Sequence, residues 1–115
     1  MQYYNMSIFS YSHKGVFMEN FDLTNEQLSE LVTDFKALGD AGRLKIILFL
    51  LGGKKSVGEI SLALGYSQSA TSHALRILKA AKILSLEKNG NVNYYYIADG
   101  HVRTIIEKSI EHLDC

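Results

Sequence analysis

From residue 24 onward the apolar positions recur first at helical spacing, then by alternation, then at helical spacing again. Leu28, Leu31, Val32 and Phe35 fall three and four residues apart and predict a first helix over 25–37. Thr24 and Gln27 precede it as a capping box, in which hydroxyl and amide satisfy the first free backbone N–H groups. Gly39 breaks the pattern and Asp40 can cap a second helix over 41–51, apolar all round through Leu44, Ile46, Ile47, Leu48, Phe49 and Leu50. Such a helix is expected at the centre of a core. Gly52-Gly53 ends it. Ser56 and Glu59 form a second capping box before a short helix through Ile60, Leu62, Ala63 and Leu64, which Gly65 closes. Ser67 then caps a helix from Gln68 to about Ala81, with Ala70, Ala74, Leu75, Ile77 and Leu78 on its expected buried side.

Two helices joined by a short turn containing glycine form a helix-turn-helix. After them Leu84 to Glu87 alternates as a strand does, and so does Val92 to Ile97, with the hairpin signal Asn89-Gly90-Asn91 between. A hairpin directly after a helix-turn-helix is a wing. Asp99-Gly100 opens a last helix over 101–113, with Val102, Ile105, Ile106, Ile110 and Leu113 on its apolar side. The expected fold is therefore mainly α with a β-hairpin wing, a winged helix-turn-helix. Residues 21–115 form that domain, and residues 1–20 read as a flexible tail without sustained period.

A length of 115 residues suits one domain, and 47% apolar with 21% charged residues is an ordinary globular composition. No apolar run approaches the ~18 residues of a membrane span, and no basic stretch leads into an apolar one as in a secretion signal. The single cysteine, Cys115, excludes an intramolecular disulfide and suits a reducing compartment, so the expected location is the cytoplasm. The net charge is zero but unevenly spread. Residues 36–88 carry nine bases against Asp40, Glu59 and Glu87, a net of +6 that the rest of the chain cancels. A basic middle inside a neutral chain fits a DNA-facing surface, although solvated surface lysines give a similar count.

The second helix of a helix-turn-helix lays its N-terminal side chains against base edges in the major groove. Here that end reads Ser67-Gln68-Ser69-Ala70-Thr71-Ser72-His73, short polar side chains with little else to occupy them. Gln68 can pair bidentately with adenine, while Ser67, Ser69, Ser72 and His73 can reach bases or phosphates. Arg76, Lys79 and Lys88 are placed for phosphate contacts, which set affinity rather than sequence. A well-capped surface helix would carry the same residue types.

The run Phe35-Lys36-Ala37-Leu38-Gly39-Asp40-Ala41-Gly42-Arg43-Leu44 resembles the opening signature of the ArsR/SmtB family of metal-responsive repressors. Ser56-Val57-Gly58-Glu59-Ile60 and Ser67-Gln68-Ser69-Ala70-Thr71-Ser72-His73-Ala74-Leu75 resemble its helix-turn-helix, and the likeness runs from about residue 28 to the end. The resemblance implies a non-enzymatic repressor, a homodimer through its terminal helices on an inverted-repeat operator, released when an inducer metal binds. One sensor site of the family uses a cysteine pair in the first helix of the motif, and Ser56 to Leu64 contains no cysteine. Another uses four ligands on the last helix, and Asp99, His101, His112 and Cys115 stand at the matching positions. The last is more often His or Glu in relatives of this kind.

His101 and His112 are eleven residues apart, three turns along one helix face. At 1.5 Å per residue they are separated by ~16 Å along the axis, beyond the span of one metal. Two antiparallel copies can close the site, Asp99 and His101 of one meeting His112 and Cys115 of the other, twice per dimer by symmetry. An oxygen, two nitrogens and a sulfur suit Zn(II), with Co(II) as surrogate and Cd(II) admitted by the thiolate. Taken singly, Asp99 is also an N-cap, His101 and His112 polar-face histidines, and Cys115 a terminal residue. An alternative signal is redox state, read through Cys115. His13 in the tail is either a further ligand or a bystander.

Overall fold

A computed structural model describes residues 3–5 and 22–114, and the chain divides into two compact units, 1–35 and 36–115. In the first, strand β1 (Tyr3–Asn5) pairs antiparallel with β2 (Asp22–Thr24), and helix α1 (Asn25–Leu38) comes next, its last residues belonging to the second unit. Of this pair, β1 falls in the stretch 1–20 read as a tail, whereas β2 falls in the part assigned to the domain. Two consecutive tyrosines have high β-propensity, but three residues are too few for a visible alternation. The rest of the tail, His13 included, lies outside the described residues. The capping box before α1 is made as read: the Thr24 N–H donates to Gln27 Oε1 and the Gln27 N–H to Thr24 Oγ1, each at 3.0 Å.

The second unit holds α2 (Ala41–Leu50), β3 (Lys55–Ser56), α3 (Val57–Leu64), α4 (Gln68–Ala80), β4 (Leu84–Asn89), β5 (Val92–Ile97) and α5 (Gly100–Leu113). This is a winged helix-turn-helix, mainly helical, with an antiparallel sheet in the order β3-β5-β4. Every helix start here has a side-chain cap: Asp40 accepts from the Arg43 N–H, Ser56 from Glu59, Ser67 from Ala70, and Asp99 from His101 and Val102. Each cap satisfies a backbone donor that the helix itself leaves free.

The core gathers Ile46, Ile47 and Leu50 of α2, Ile60 of α3, Leu75 and Leu78 of α4, Ile83 and Leu84 at the wing base, and Ile106 of α5, with Ala37. The largely apolar α2 is thus central, as its sequence predicts, although Leu48 remains exposed. The wing turns on a two-residue loop, Gly90-Asn91, between the paired Asn89 and Val92. Of the two only Gly90 has positive φ, 64°, the arrangement of a type II′ turn. Strand β3 was not expected from the sequence. Its two residues pair with Tyr94 and Tyr95 and extend the hairpin to three strands.

Candidate functional site

The first candidate surface is the N-terminal half of α4. Gly65, at φ 70°, turns the chain out of α3, and Ser67 in extended backbone starts α4 by accepting the Ala70 N–H on its hydroxyl. Gln68, Ser69 and His73 are exposed, Ser72 is half-buried, and Arg76 is exposed one turn further on. Lys88 is exposed on β4. Two hydroxyls of the run are engaged within the protein, Ser67 as the expected cap and Thr71 against expectation. The Ser67 hydroxyl is engaged as the cap. Thr71 is wholly buried: its Oγ1 donates to the Ser67 carbonyl at 2.9 Å and accepts from Ser61 Oγ at 2.9 Å, joining the two helices of the motif. Burial of the hydroxyl with both functions paired removes it from any ligand-facing role.

A cavity of about 300 Å³ lies beside α4, with Asp40, Arg43, Tyr66 and His73 among its lining residues. Arg43 is fixed there by its own bonds, Nε to the Ala37 carbonyl at 2.8 Å and Nη2 to the Lys36 carbonyl at 3.2 Å. Across the wing, Lys54 pairs with Glu87 and lies over the Tyr94 ring, 5.6 Å from its centroid. The hydrogen bond to Glu87, and then its charge, hold Lys54 above the usual lysine range. Neither Lys54 nor this pairing stood out in the sequence, because Glu87 is 33 residues away.

The second candidate surface is the start of α5. Asp99 is its N-cap, with both bonds on Oδ1: the His101 N–H at 2.8 Å and the Val102 N–H at 3.1 Å. These bonds, Val102 first, hold the carboxyl below its usual range, so it is an anion available to a cation. The His101 Nδ1 stands 3.6 Å from the same Oδ1, and its side chain is 95% exposed. His112 is exposed in the last turn. Cys115 lies outside the described residues, and among the described residues no three His, Cys, Asp or Glu side chains gather as a metal cluster. One protomer thus brings Asp99 and His101 together and leaves His112 at the far end of the helix.

The model of the bacterial regulatory protein, arsR family, matches residues 40–85, which span α2, β3, α3, α4 and the start of β4. The chain is 35% identical over 92 residues to the cadmium resistance transcriptional regulatory protein CadC homolog of Staphylococcus aureus, covering 79% of this chain and 76% of that one. It belongs to the arsR family. A Synechocystis transcriptional repressor SmtB homolog is 32% identical over 88 residues, 76% of this chain and 67% of that one. Among solved structures, a homodimeric winged helix-turn-helix DNA-binding domain of Mycobacterium bovis superposes with TM-score 0.76 at 26% identity, over 85% of this chain and 91% of the other. As an arsR-family member the protein is a DNA-binding transcriptional regulator and not an enzyme. None of its described helices is long and apolar enough to cross a membrane.

Proposed function

We propose that this arsR-family protein is a metal-sensing repressor of the cytoplasm. It binds an inverted-repeat operator as a homodimer and leaves it when Zn(II), or a similar ion such as Co(II) or Cd(II), binds. The observation that carries the reading is the pairing of Asp99 and His101 at the start of α5, a fixed carboxylate beside an exposed imidazole. Both residue types are ordinary zinc ligands. His112 of the partner subunit, with the terminal Cys115, would complete a set of four that one helix is too long to assemble alone. When bound, the ion would supply coordination bonds across the interface and so favour one dimer geometry over another. The two similar proteins named for metal resistance and repression lend the reading its direction.

The dimer itself has a physical motive. Leu31, Val32 and Phe35 on α1, and Ile105, Ile110 and Leu113 on α5, keep their apolar side chains exposed in the single chain. A partner covering them would gain about 25 cal/mol for each Å² removed from water. On DNA, Gln68, Ser69, Ser72 and His73 would read base edges, Arg76 and Lys88 would hold phosphates, and Ser67 would set the start of the reading helix.

Titration of the reduced protein with Co(II) tests the site. Intense ligand-field bands with a sulfur charge-transfer band, saturating at one ion per subunit, are expected. Weak octahedral bands or no binding would refute the metal site and leave a winged-helix regulator whose signal is something else. His101→Ala should abolish the response of operator binding to zinc and spare operator binding without zinc. Loss of both would instead give His101 a structural role.

A further inference from the structure

The last backbone carbonyls of a helix have no partner within it. At the end of α2 most are served locally: Ile47 and Leu48 by the Leu51 N–H, Phe49 by Gly52 and Leu50 by Gly53. The Leu51 carbonyl is served from far away. Arg103, in the first turn of α5, donates Nη2 to it at 3.0 Å across 52 residues of sequence. The guanidinium is steadied by Glu107 one turn on, at 3.9 Å, and the Arg103 N–H bonds back to the Asp99 carbonyl at 3.4 Å. One side chain therefore joins the backbone that carries Asp99 and His101 to the C-terminus of α2.

The residues just beyond Leu51 give this link its consequence. Gly52-Gly53 is a turn in which Gly53 sits at φ 125°, a conformation that side-chain-bearing residues rarely adopt. Directly after it come Lys54, which pairs with Glu87 of the wing, and β3, which pairs with β5 of the wing. Ser56 then caps α3, the first helix of the motif. A short stretch of backbone thus leads from the Arg103 anchor to both the wing and the helix-turn-helix. We infer that Arg103 is a positioning residue that couples the start of α5 to the DNA-reading elements, through the Leu51 carbonyl and the Gly52-Gly53 turn. A shift of the first turn of α5 moves or breaks this bond, and the two glycines let the backbone between α2 and the wing respond. The regulatory part of the inference rests on the metal-sensing reading; the anchoring part does not.

Arg103→Met keeps much of the aliphatic length and removes the donors, and Arg103→Lys restores a donor. The measurements are operator affinity with and without Zn(II), zinc stoichiometry, and amide hydrogen exchange over 52–56, using an operator duplex selected in vitro from random DNA. Allosteric coupling commonly amounts to about 5- to 150-fold, and a wild-type zinc effect in that range is expected. Arg103→Met should bind zinc at wild-type stoichiometry and bind operator without zinc within about threefold of wild type, while the zinc effect falls below about twofold. Arg103→Lys should recover part of the effect. An undiminished zinc effect in Arg103→Met overturns the inference. Should that variant fail to fold, wild-type exchange decides: unchanged protection over 52–56 on zinc addition overturns the inference, and altered protection supports it. If the wild type does not respond to zinc, the metal-sensing reading fails. Anchoring is then judged from exchange without zinc, faster over 52–56 in Arg103→Met if it holds and unchanged if it does not.

Discussion

The buried Thr71 hydroxyl offers a sharp test of how the two helices of the reading motif are held. Thr71→Val removes both of its bonds, to the Ser67 carbonyl and from Ser61 Oγ. Their losses are unequal. The Ser67 carbonyl keeps the Thr71 backbone N–H at 3.0 Å, so it remains satisfied. Ser61 Oγ is half-buried and loses its acceptor. An unmade bond at a buried polar group costs about 1–3 kcal/mol, and partial access to water places Thr71→Val near the lower end, about 1–2 kcal/mol. Ser61→Ala should cost less, about 0.5–1 kcal/mol, since Thr71 still donates to Ser67. Removing both hydroxyls leaves no orphaned group, so the double variant should fall short of the sum of the singles by about 1 kcal/mol. Urea unfolding at fixed protomer concentration measures this, the concentration being held because an oligomer's stability depends on it. At about 4–8 °C per kcal/mol, melting of Thr71→Val should drop by roughly 4–16 °C. Strict additivity of the two substitutions would refute a latch between α3 and α4.

Lys82 is the only non-glycine residue at positive φ among the described residues, at 62°, one residue beyond the Ala81 cap of α4. The bonds from Lys82 to the Lys79 carbonyl and from Ile83 to the Leu78 carbonyl make a Schellman ending, which glycine suits best. Lys82→Gly should therefore raise stability by up to about 1 kcal/mol and Lys82→Val should lower it, read by denaturant midpoint; a reversed order would refute this. Glu59 is held below the usual carboxylate range by the Ser56 N–H bonded to it, then by the Ser56 side chain. A carboxylate depressed on folding lends stability above its unfolded pKa of about 4.3, lost as pH falls through the lower folded value. Glu59→Gln should flatten that part of the acid limb in thermal melts, and an unchanged limb would count against the assignment. In salt-dependent binding assays, Arg76→Ala should weaken all DNA alike and reduce the salt slope by about 1. Gln68→Ala should instead relax preference at one base pair, by about 1–3 kcal/mol.

What the sequence made readable depended on how far apart the interacting residues lie. The boxes Thr24/Gln27 and Ser56/Glu59 and the caps at Asp40 and Ser67 act across three residues, and the structure makes each of them. Gly65 and Gly90 likewise reveal their turns locally, through the positive φ each adopts. Strand β3 is different. Lys55 and Ser56 have no alternation of their own and become a strand only by meeting Tyr95 and Tyr94 of β5. Thr71 looked like one more small polar residue of the reading helix, since nothing local reveals that Ser61 waits beneath it. Helical spacing marked Leu31, Val32 and Phe35 as an apolar face but could not say whether their own chain buries them; it leaves them exposed. The Asp99–His101 pair was legible because it is local, whereas the remainder of the proposed ligand set depends on a second copy of the chain.

This division by distance also separates the two halves of the function. The family match ends at residue 85, so it covers the helix-turn-helix and stops short of the last helix, where the proposed ligands lie. Reading DNA requires a recognition helix at a fixed angle to its neighbour, and that constraint is met by caps, turns and core residues inside one continuous stretch. Responding to a signal requires only that some group on α5 change the helix's preferred position. Asp99 and His101 occupy exposed positions whose side chains the core does not constrain, while Val102 and Ile106 keep α5 seated. Ligand residues on that exposed face can therefore vary without disturbing the fold, provided the seat and the connection to the reading motif remain. The Arg103–Leu51 bond is the one side-chain hydrogen bond among the described residues that joins α5 to the end of α2, and under the proposed coupling it is the polar part of that connection.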